Sequence, residues 1–199
     1  MLAQLRPAIV MIVLFTALTG LAYPLAITGI AQLALSNRAN GSMIERDGKI
    51  IGSSLIGQNF ASNRYFHGRP SATNTPDPAD PTKTIDAPYN AANSSGSNLG
   101  PTSQKLVDRV NAAIESEFAA GRIDMVAADA VTTSASGLDP HISPQFALAQ
   151  VPAIAAARKL SEGKVHALVE AQTEGRFAGL VGEPRVNVLL LNLALDELR

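Results

Sequence analysis

Between Pro7 and Asn37 no side chain carries a charge, and this run constrains the chain more than any other feature. Its core, AIVMIVLFTALTGLAYPLAITGIAQLAL, extends from Ala8 to Leu35. A bilayer core of roughly 30 Å is crossed by about 20 apolar helical residues, so the stretch is long enough to span. A secretory leader would carry an apolar segment of about 7–15 residues and a small-x-small cleavage site. This run is about twice that length, and no convincing Ala-x-Ala closes it. The expectation is a retained transmembrane anchor over residues 1–37. Pro24 inside the run is expected to kink the helix, with neighbours or water re-satisfying the freed carbonyl. Thr16, Gly20 and Pro24 recur at four-residue spacing beside Tyr23, a pattern suited to close packing on another helix and also common in membrane helices generally.

Orientation is not settled by the flanks. Arg6 precedes the run, whereas Arg38, Arg46 and Lys49 follow it. A count of basic residues puts the far side inside, but the rule weakens for long domains that cross regardless of charge. The remainder, residues 38–199, reads as one water-facing domain. With 16 basic and 17 acidic side chains the chain has a net charge of −1. That balance speaks against a nucleic-acid binder, which carries a basic excess or stripe. With no cysteine, disulfides, thiolate metal sites and cysteine nucleophiles are excluded.

Coarse patterning indicates a mixed α/β (α+β) domain. Short apolar pairs set off by glycines over 42–58, with Asp47-Gly48 as a turn, predict strands in a hairpin or bent ribbon. Residues 70–101 hold six prolines among small polar residues and show no helix or strand period. A loop this long inside a domain is usually functional or disordered. Thr102–Ala120 predicts a helix with an apolar face of Leu106, Val110, Ala113, Ile114 and Phe118, ended by Gly121. Residues 125–133 predict a short strand. Ser143-Pro144 opens a helix towards Lys159 that Pro152 bends or splits. Val165–Thr173 predicts another short helix. Arg185–Leu195, close to continuously apolar, predicts a buried final strand.

Catalytic motifs are hard to find. Gly48-Lys49 is followed by Ile50, not Ser or Thr, so no P-loop forms there. Pro81-Thr82-Lys83-Thr84 lacks both the adjacent aspartate and the glycine of the P-type pump phosphorylation motif. His67, His141 and His166 show no metal-binding spacing, and no Gly-x-Ser-x-Gly elbow is present. Three constellations stand out instead. In the first, Phe60, Tyr65, Phe66, His67 and Arg69 cluster at the entrance of the long loop. Aromatic and guanidinium groups together make interface hot spots, and equally make a satellite core. In the second, Ser94-Ser95-Gly96-Ser97-Asn98-Leu99-Gly100-Pro101 offers small residues whose amides could cradle an anion, allow close backbone approach, or simply turn. The third, Ser136-Gly137-Leu138-Asp139-Pro140-His141-Ile142-Ser143-Pro144, is also ordinary helix-entry chemistry.

These motifs, in this order behind one apolar segment, resemble the C subunit of the Kdp-type potassium-transporting ATPase. The matching stretches are GSSLIGQNF (52–60), YFHGRPSA (65–72), YNAANSSGSNLGP (89–101), SASGLDPHISPQFALAQ (134–150) and GEPRVNVLLLNLALD (182–196). The family pattern has Ser-Gly-Gly-Ser-Asn-Leu where this chain has Ser94-Ser95-Gly96-Ser97-Asn98-Leu99. The resemblance implies a non-catalytic accessory subunit of an ATP-driven potassium uptake pump in the bacterial inner membrane. Its implied partners are a P-type ATPase subunit, a channel-like potassium-translocating subunit, a small single-helix subunit and membrane lipid. Two roles follow from the resemblance. In one, the domain stabilises assembly from the outer face, with the N-terminus inside and Phe60, Tyr65, Phe66, His67, Arg69, Asn98, Asp139 and His141 as interface candidates. In the other, it raises the ATP affinity of the ATPase subunit through a ternary complex, with Ser95, Gly96 and Gln145 or Gln150 touching nucleotide. A domain outside the membrane cannot reach cytoplasmic ATP, so the two exclude each other, and the short leading tail together with the lack of a recognisable nucleotide site favours the first. No cofactor is expected to bind independently, and ATP only within the complex. A free-standing membrane-anchored hydrolase is the remote alternative.

Overall fold

The computed structural model describes residues 2–119 and 126–198. Two compact units are present, Met1–Ile51 and Gly52–Arg199. In the first, helix α1 (Leu2–Ala17), a π-turn (Leu18–Ala22) and helix α2 (Tyr23–Ala34) run on without a break. Ala3–Ala34 is long and apolar enough to cross a membrane. The π-turn has a cause in the sequence. A proline ring in an α-helix collides with the carbonyl four residues back and lacks the N–H to bond it. Here the turn before Pro24 is widened, with Tyr23 N–H donating to the Leu18 carbonyl five residues back. Thr19 Oγ1 donates to the Phe15 carbonyl at 2.6 Å, satisfying its hydroxyl within the helix. A short helix α3 (Ser36–Ala39) follows.

Strands β1 (Met43–Arg46) and β2 (Lys49–Ser53) pair as the expected hairpin. Asp47 and Gly48 both have positive φ, 52° and 73°, the two-residue turn that matches strand twist.

The second unit is α+β. The proline-rich segment is not structureless, contrary to the expectation from its period. Strand β3 (Asn74–Pro76) pairs antiparallel with β4 (Thr84–Asp86), with Thr75 opposite Ile85. Three-residue strands are too short to display an alternation. Aspartates tie the intervening turn: Asp77 Oδ1 accepts from Ala79 N–H, and Asp80 Oδ1 from Thr82 N–H and Oγ1. Helix α4 (Gln104–Ala119) lays Val110, Ala113 and Ile114 against the core, while Phe118 stays exposed. The predicted helix end at Gly121 lies outside the described residues.

The strand predicted over 125–133 is instead a helical turn, α5 (Ala128–Val131), with Met125 outside the described residues. Its Asp129 explains the difference. Asp129 Oδ2 accepts from Ser143 N–H at 2.6 Å and Oδ1 from Ser143 Oγ at 2.9 Å, and the turn aims the carboxylate there. Strand β5 (His141–Ile142) leads into α6 (Pro144–Arg158). Ser143 Oγ accepts from Phe146 N–H as the N-cap, Pro144 occupies the first turn, and Lys159 closes the helix in the left-handed conformation. Pro152 does not split it. Helix α7 (Glu162–Ala171) starts earlier than predicted, because Ser161 caps it by accepting from Lys164 N–H.

Strand β6 (Thr173–Glu174) and β7 (Arg185–Asn187) complete a three-stranded antiparallel sheet of order β5-β7-β6. The final strand predicted over 185–195 is corrected: only β7 is extended, and Val188–Glu197 is helix α8. Asn187 makes the switch by accepting from Leu190 N–H as N-cap. Periodicity cannot separate a buried strand from a buried helix when a run is apolar all round. The core gathers Phe66, Phe146, Ile154, Val165, Leu191 and Leu195.

Candidate functional site

After a turn at Ser62–Tyr65, the segment 66–71 runs on outside any sheet with Phe66 buried, so its backbone groups need side-chain partners. Two buried amides supply them. Asn192 Oδ1 accepts from Phe66 N–H at 2.8 Å, and Asn192 Nδ2 donates to the Phe66 carbonyl at 2.9 Å. One residue on, Gln150 Oε1 accepts from His67 N–H at 2.8 Å, and Gln150 Nε2 donates to the His67 carbonyl at 3.2 Å. Each amide imitates a strand neighbour. Both residues are 2% exposed.

Phe66 and Gln150, expected at a surface, are therefore interior residues. Burial of the Phe66 ring and use of both Gln150 amide atoms inside the domain account for their positions. The other glutamine candidate, Gln145, is exposed at a cleft shared with Asp139, His141 and Arg185. Phe60 and Tyr65 form a tilted ring pair with centroids 5.7 Å apart. The Arg158 guanidinium lies 4.7 Å from the Tyr65 centroid and bonds Asp196 Oδ1 at 2.8 Å. Phe60 packs half-buried against the core, and Tyr65 is half-buried beside it.

Arg69 and Asp139 form the polar centre. Arg69 Nη1 donates to Asp139 Oδ2 at 3.0 Å, and Asp139 Oδ1 accepts from His141 N–H at 3.0 Å. His141 Nδ1 lies 3.7 Å from the same oxygen. Burial pushes the Asp139 carboxyl up, but the bonds from His141 and Arg69 outweigh it and hold the group below its ordinary value. Tyr89 closes the centre from the long loop, its hydroxyl donating to the Arg69 carbonyl at 2.8 Å. Its ring lies against two glycines. A β-carbon at Gly57 would sit 2.5 Å from the ring and 2.7 Å from the Asp139 carbonyl oxygen, and one at Gly68 would strike the hydroxyl.

The serine-rich motifs meet each other. Ser95 N–H donates to the Ser136 carbonyl at 3.0 Å, as does Ser94 Oγ. Gly96 passes so close to Ala135 that a β-carbon would be 2.7 Å from its carbonyl oxygen. Of the readings open for this loop, close backbone approach is the one the geometry uses at Gly96. Asn98 is exposed, with positive φ, and donates to the Gly96 carbonyl. Beneath lies a hub that sequence reasoning missed. Ser71 Oγ donates to the Gly137 carbonyl at 2.8 Å and accepts from Tyr89 N–H at 3.0 Å. Thr73 Oγ1 donates to the Ala87 carbonyl at 2.6 Å and accepts from Asn90 N–H at 3.0 Å. Single hydroxyls in a serine-rich sequence carry no signal. Asn192 did carry one, as an amide in an otherwise apolar run. Among the described residues no group of three or more His, Asp or Glu is placed to hold a metal ion.

Burial raises the Tyr89 phenol to about 12 from 10.0, with the Asp139 charge adding to the effect and Arg69 opposing it. The folded chain thus holds this proton where an unfolded chain loses it. The resulting stability is intact below pH 10 and is lost as pH rises from 10 towards 12. In an absorbance titration, Tyr89→Phe removes a phenol step at about pH 12. A titration in which Tyr89→Phe leaves that step in place would refute the assignment.

One bilayer-length apolar helix joined to an α+β domain whose polar network turns inward defines a membrane-anchored protein with a tightly braced extramembrane domain. Residues 5–197 match the family model described as K+-transporting ATPase, c chain. The chain belongs to that family. A protein of Rhodopseudomonas palustris (strain BisB5) named potassium-transporting ATPase KdpC subunit is 62% identical over 196 residues, covering 98% of each chain. Proteins of the same name from Methylobacterium nodulans and Bradyrhizobium diazoefficiens are 62% and 60% identical. They cover 100% and 99% of this chain, and 98% of their own.

Proposed function

We propose that this chain is a subunit of an ATP-driven potassium-transporting complex and that its part there is assembly, not catalysis. Membership of the c-chain family and the names of its relatives support the first half. The observation that carries the second is the use made of two of the four candidate nucleotide contacts, Gln150 and Ser95, while Gln145 stays exposed. Both amide atoms of Gln150 are bound to the His67 backbone, and the Ser95 N–H is bound to the Ser136 carbonyl. A buried amide committed to the fold, as Gln150 is, makes a poor ligand for ATP, because releasing it leaves the His67 backbone groups without partners. On this reading the domain lies on the outer face of the bacterial inner membrane. It braces the P-type ATPase and potassium-translocating subunits, with the small single-helix subunit as a further neighbour. ATP hydrolysis and phosphorylation belong to the ATPase subunit.

The natural chain has no cysteine, so one introduced thiol reports its side of the membrane. Ala79 is exposed at the tip of the β3–β4 ribbon, and Ala79→Cys disturbs no side-chain bond. In intact cells with a permeabilised outer membrane, an impermeant maleimide should label it. Protection in intact cells with labelling after lysis would put the domain inside and favour the ATP-chaperone role instead.

A further inference from the structure

Among the described residues of the second unit, the largest apolar exposure is a knob between β6 and β7. Phe177 is 80% exposed, Leu180 83% and Val181 66%. The neighbouring β7 residues Val186 and Asn187 are buried. Three large apolar side chains on one short turn are more than scattered surface exposure accounts for.

The knob is built to hold a shape. Phe177 N–H donates to the Val181 carbonyl at 2.8 Å, and Val181 N–H returns to the Phe177 carbonyl at 3.1 Å. Leu180 N–H also bonds the Phe177 carbonyl, and Gly179 N–H bonds that of Arg176. With these backbone donors spent inside the turn, strand addition is a poor mode of recognition, and the side chains are what the turn presents. At the base, Arg176 Nη2 bonds both Glu183 oxygens, at 3.0 and 2.8 Å, and Arg185 Nε bonds Glu174 Oε2 at 2.9 Å.

The collar decides between two kinds of partner. A loop that enters a lipid surface gains from unpaired basic residues around its apolar tip, which attract anionic headgroups. Here both arginines are neutralised by glutamates, so the collar carries no net charge. An apolar centre inside a rim of satisfied polar groups is the anatomy of a protein interface. We infer that the Phe177–Val181 knob docks into an uncharged apolar cup on the extramembrane surface of another subunit of the potassium-transporting complex. This rests on the subunit assignment above and adds a contact surface to it.

The test places a photoactivatable phenylalanine at position 177 in the full chain, co-expressed in membranes with the other pump polypeptides. Co-purification of the unirradiated complex reports whether the chain is a subunit at all. Irradiation should then cross-link position 177 to one of those polypeptides, identified by peptide mass. The double variant Phe177→Ser/Leu180→Ser should lower recovery of the chain with the complex about tenfold, the loss of one buried aromatic anchor. Its melting temperature should not change, because the knob lies outside the core. Co-purification with cross-links only to lipid, only to a second copy of this chain, or to nothing overturns the inference and leaves the subunit assignment standing. Failure to co-purify overturns both.

Discussion

Asn192→Leu should destabilise the second unit by about 3–5 kcal/mol. The substitution keeps the volume and leaves the Phe66 N–H and carbonyl without partners, at 2.8 and 2.9 Å from where the amide atoms were. Each buried orphan costs roughly 1–3 kcal/mol, and more hydrophobic surface at that position returns only part of it. A domain of this size is stable by about 5–15 kcal/mol, so the loss removes a large share. Denaturant unfolding in detergent measures it directly. Gln150 braces the next residue, so Asn192→Leu and Gln150→Leu together should be non-additive, since the first already frees the segment the second releases. A loss below about 1 kcal/mol for Asn192→Leu would mean that the segment is held by packing alone.

Gly137→Ala should cost roughly 2–5 kcal/mol. Gly137 has φ of 68°, where a side chain adds about 1–2 kcal/mol. A β-carbon there would also sit 2.7 Å from the Ser95 carbonyl oxygen and collide with the Thr73 methyl group. Overpacking of that kind adds about 1–3 kcal/mol. The backbone has little room to yield: Gly137 N–H bonds Ser134 Oγ at 2.8 Å, and its carbonyl accepts from Ser71 Oγ. Because Ser71 also anchors Tyr89, the damage should spread into the long loop. Hydrogen exchange should show the Tyr89 and Asn90 amides losing protection, while amides of α6 and α7 exchange as before. Unchanged protection at Tyr89 would show that the two motifs are not coupled through Ser71.

Much of this was visible in the chain, for physical reasons that differ by element. The anchor was legible because a bilayer imposes both length and composition. The β1–β2 hairpin was legible because Asp-Gly is one of few dipeptides that tolerate two positive φ values. The N-terminus of α6 was legible because Ser143 and Pro144 act locally. The final segment was misread because Val186–Leu195 is apolar on every side, so only the capping role of Asn187 marks the switch from strand to helix. The site was legible as motifs and not as bonds. That Arg69 meets Asp139 and that Ser95 meets Ser136 depends on chain crossings that no local pattern encodes. The resemblance offers Gln145 or Gln150 as a nucleotide contact under one of its two roles, and no local pattern shows that Gln150 bonds the backbone of His67, 83 positions earlier.

The order of the sheet sets the timetable of folding. In β5-β7-β6 the middle strand is the last made, and neither outer strand has a neighbour until residue 187 has been synthesised. Helix α8, with the asparagine that fixes Phe66, comes later still. A nascent chain emerging from the ribosome therefore has its anchor complete long before its domain can close. Contacts between residues this far apart in sequence form slowly and after a large loss of chain entropy. The consequence is a long interval in which the apolar helix is complete while the remainder is still open polypeptide.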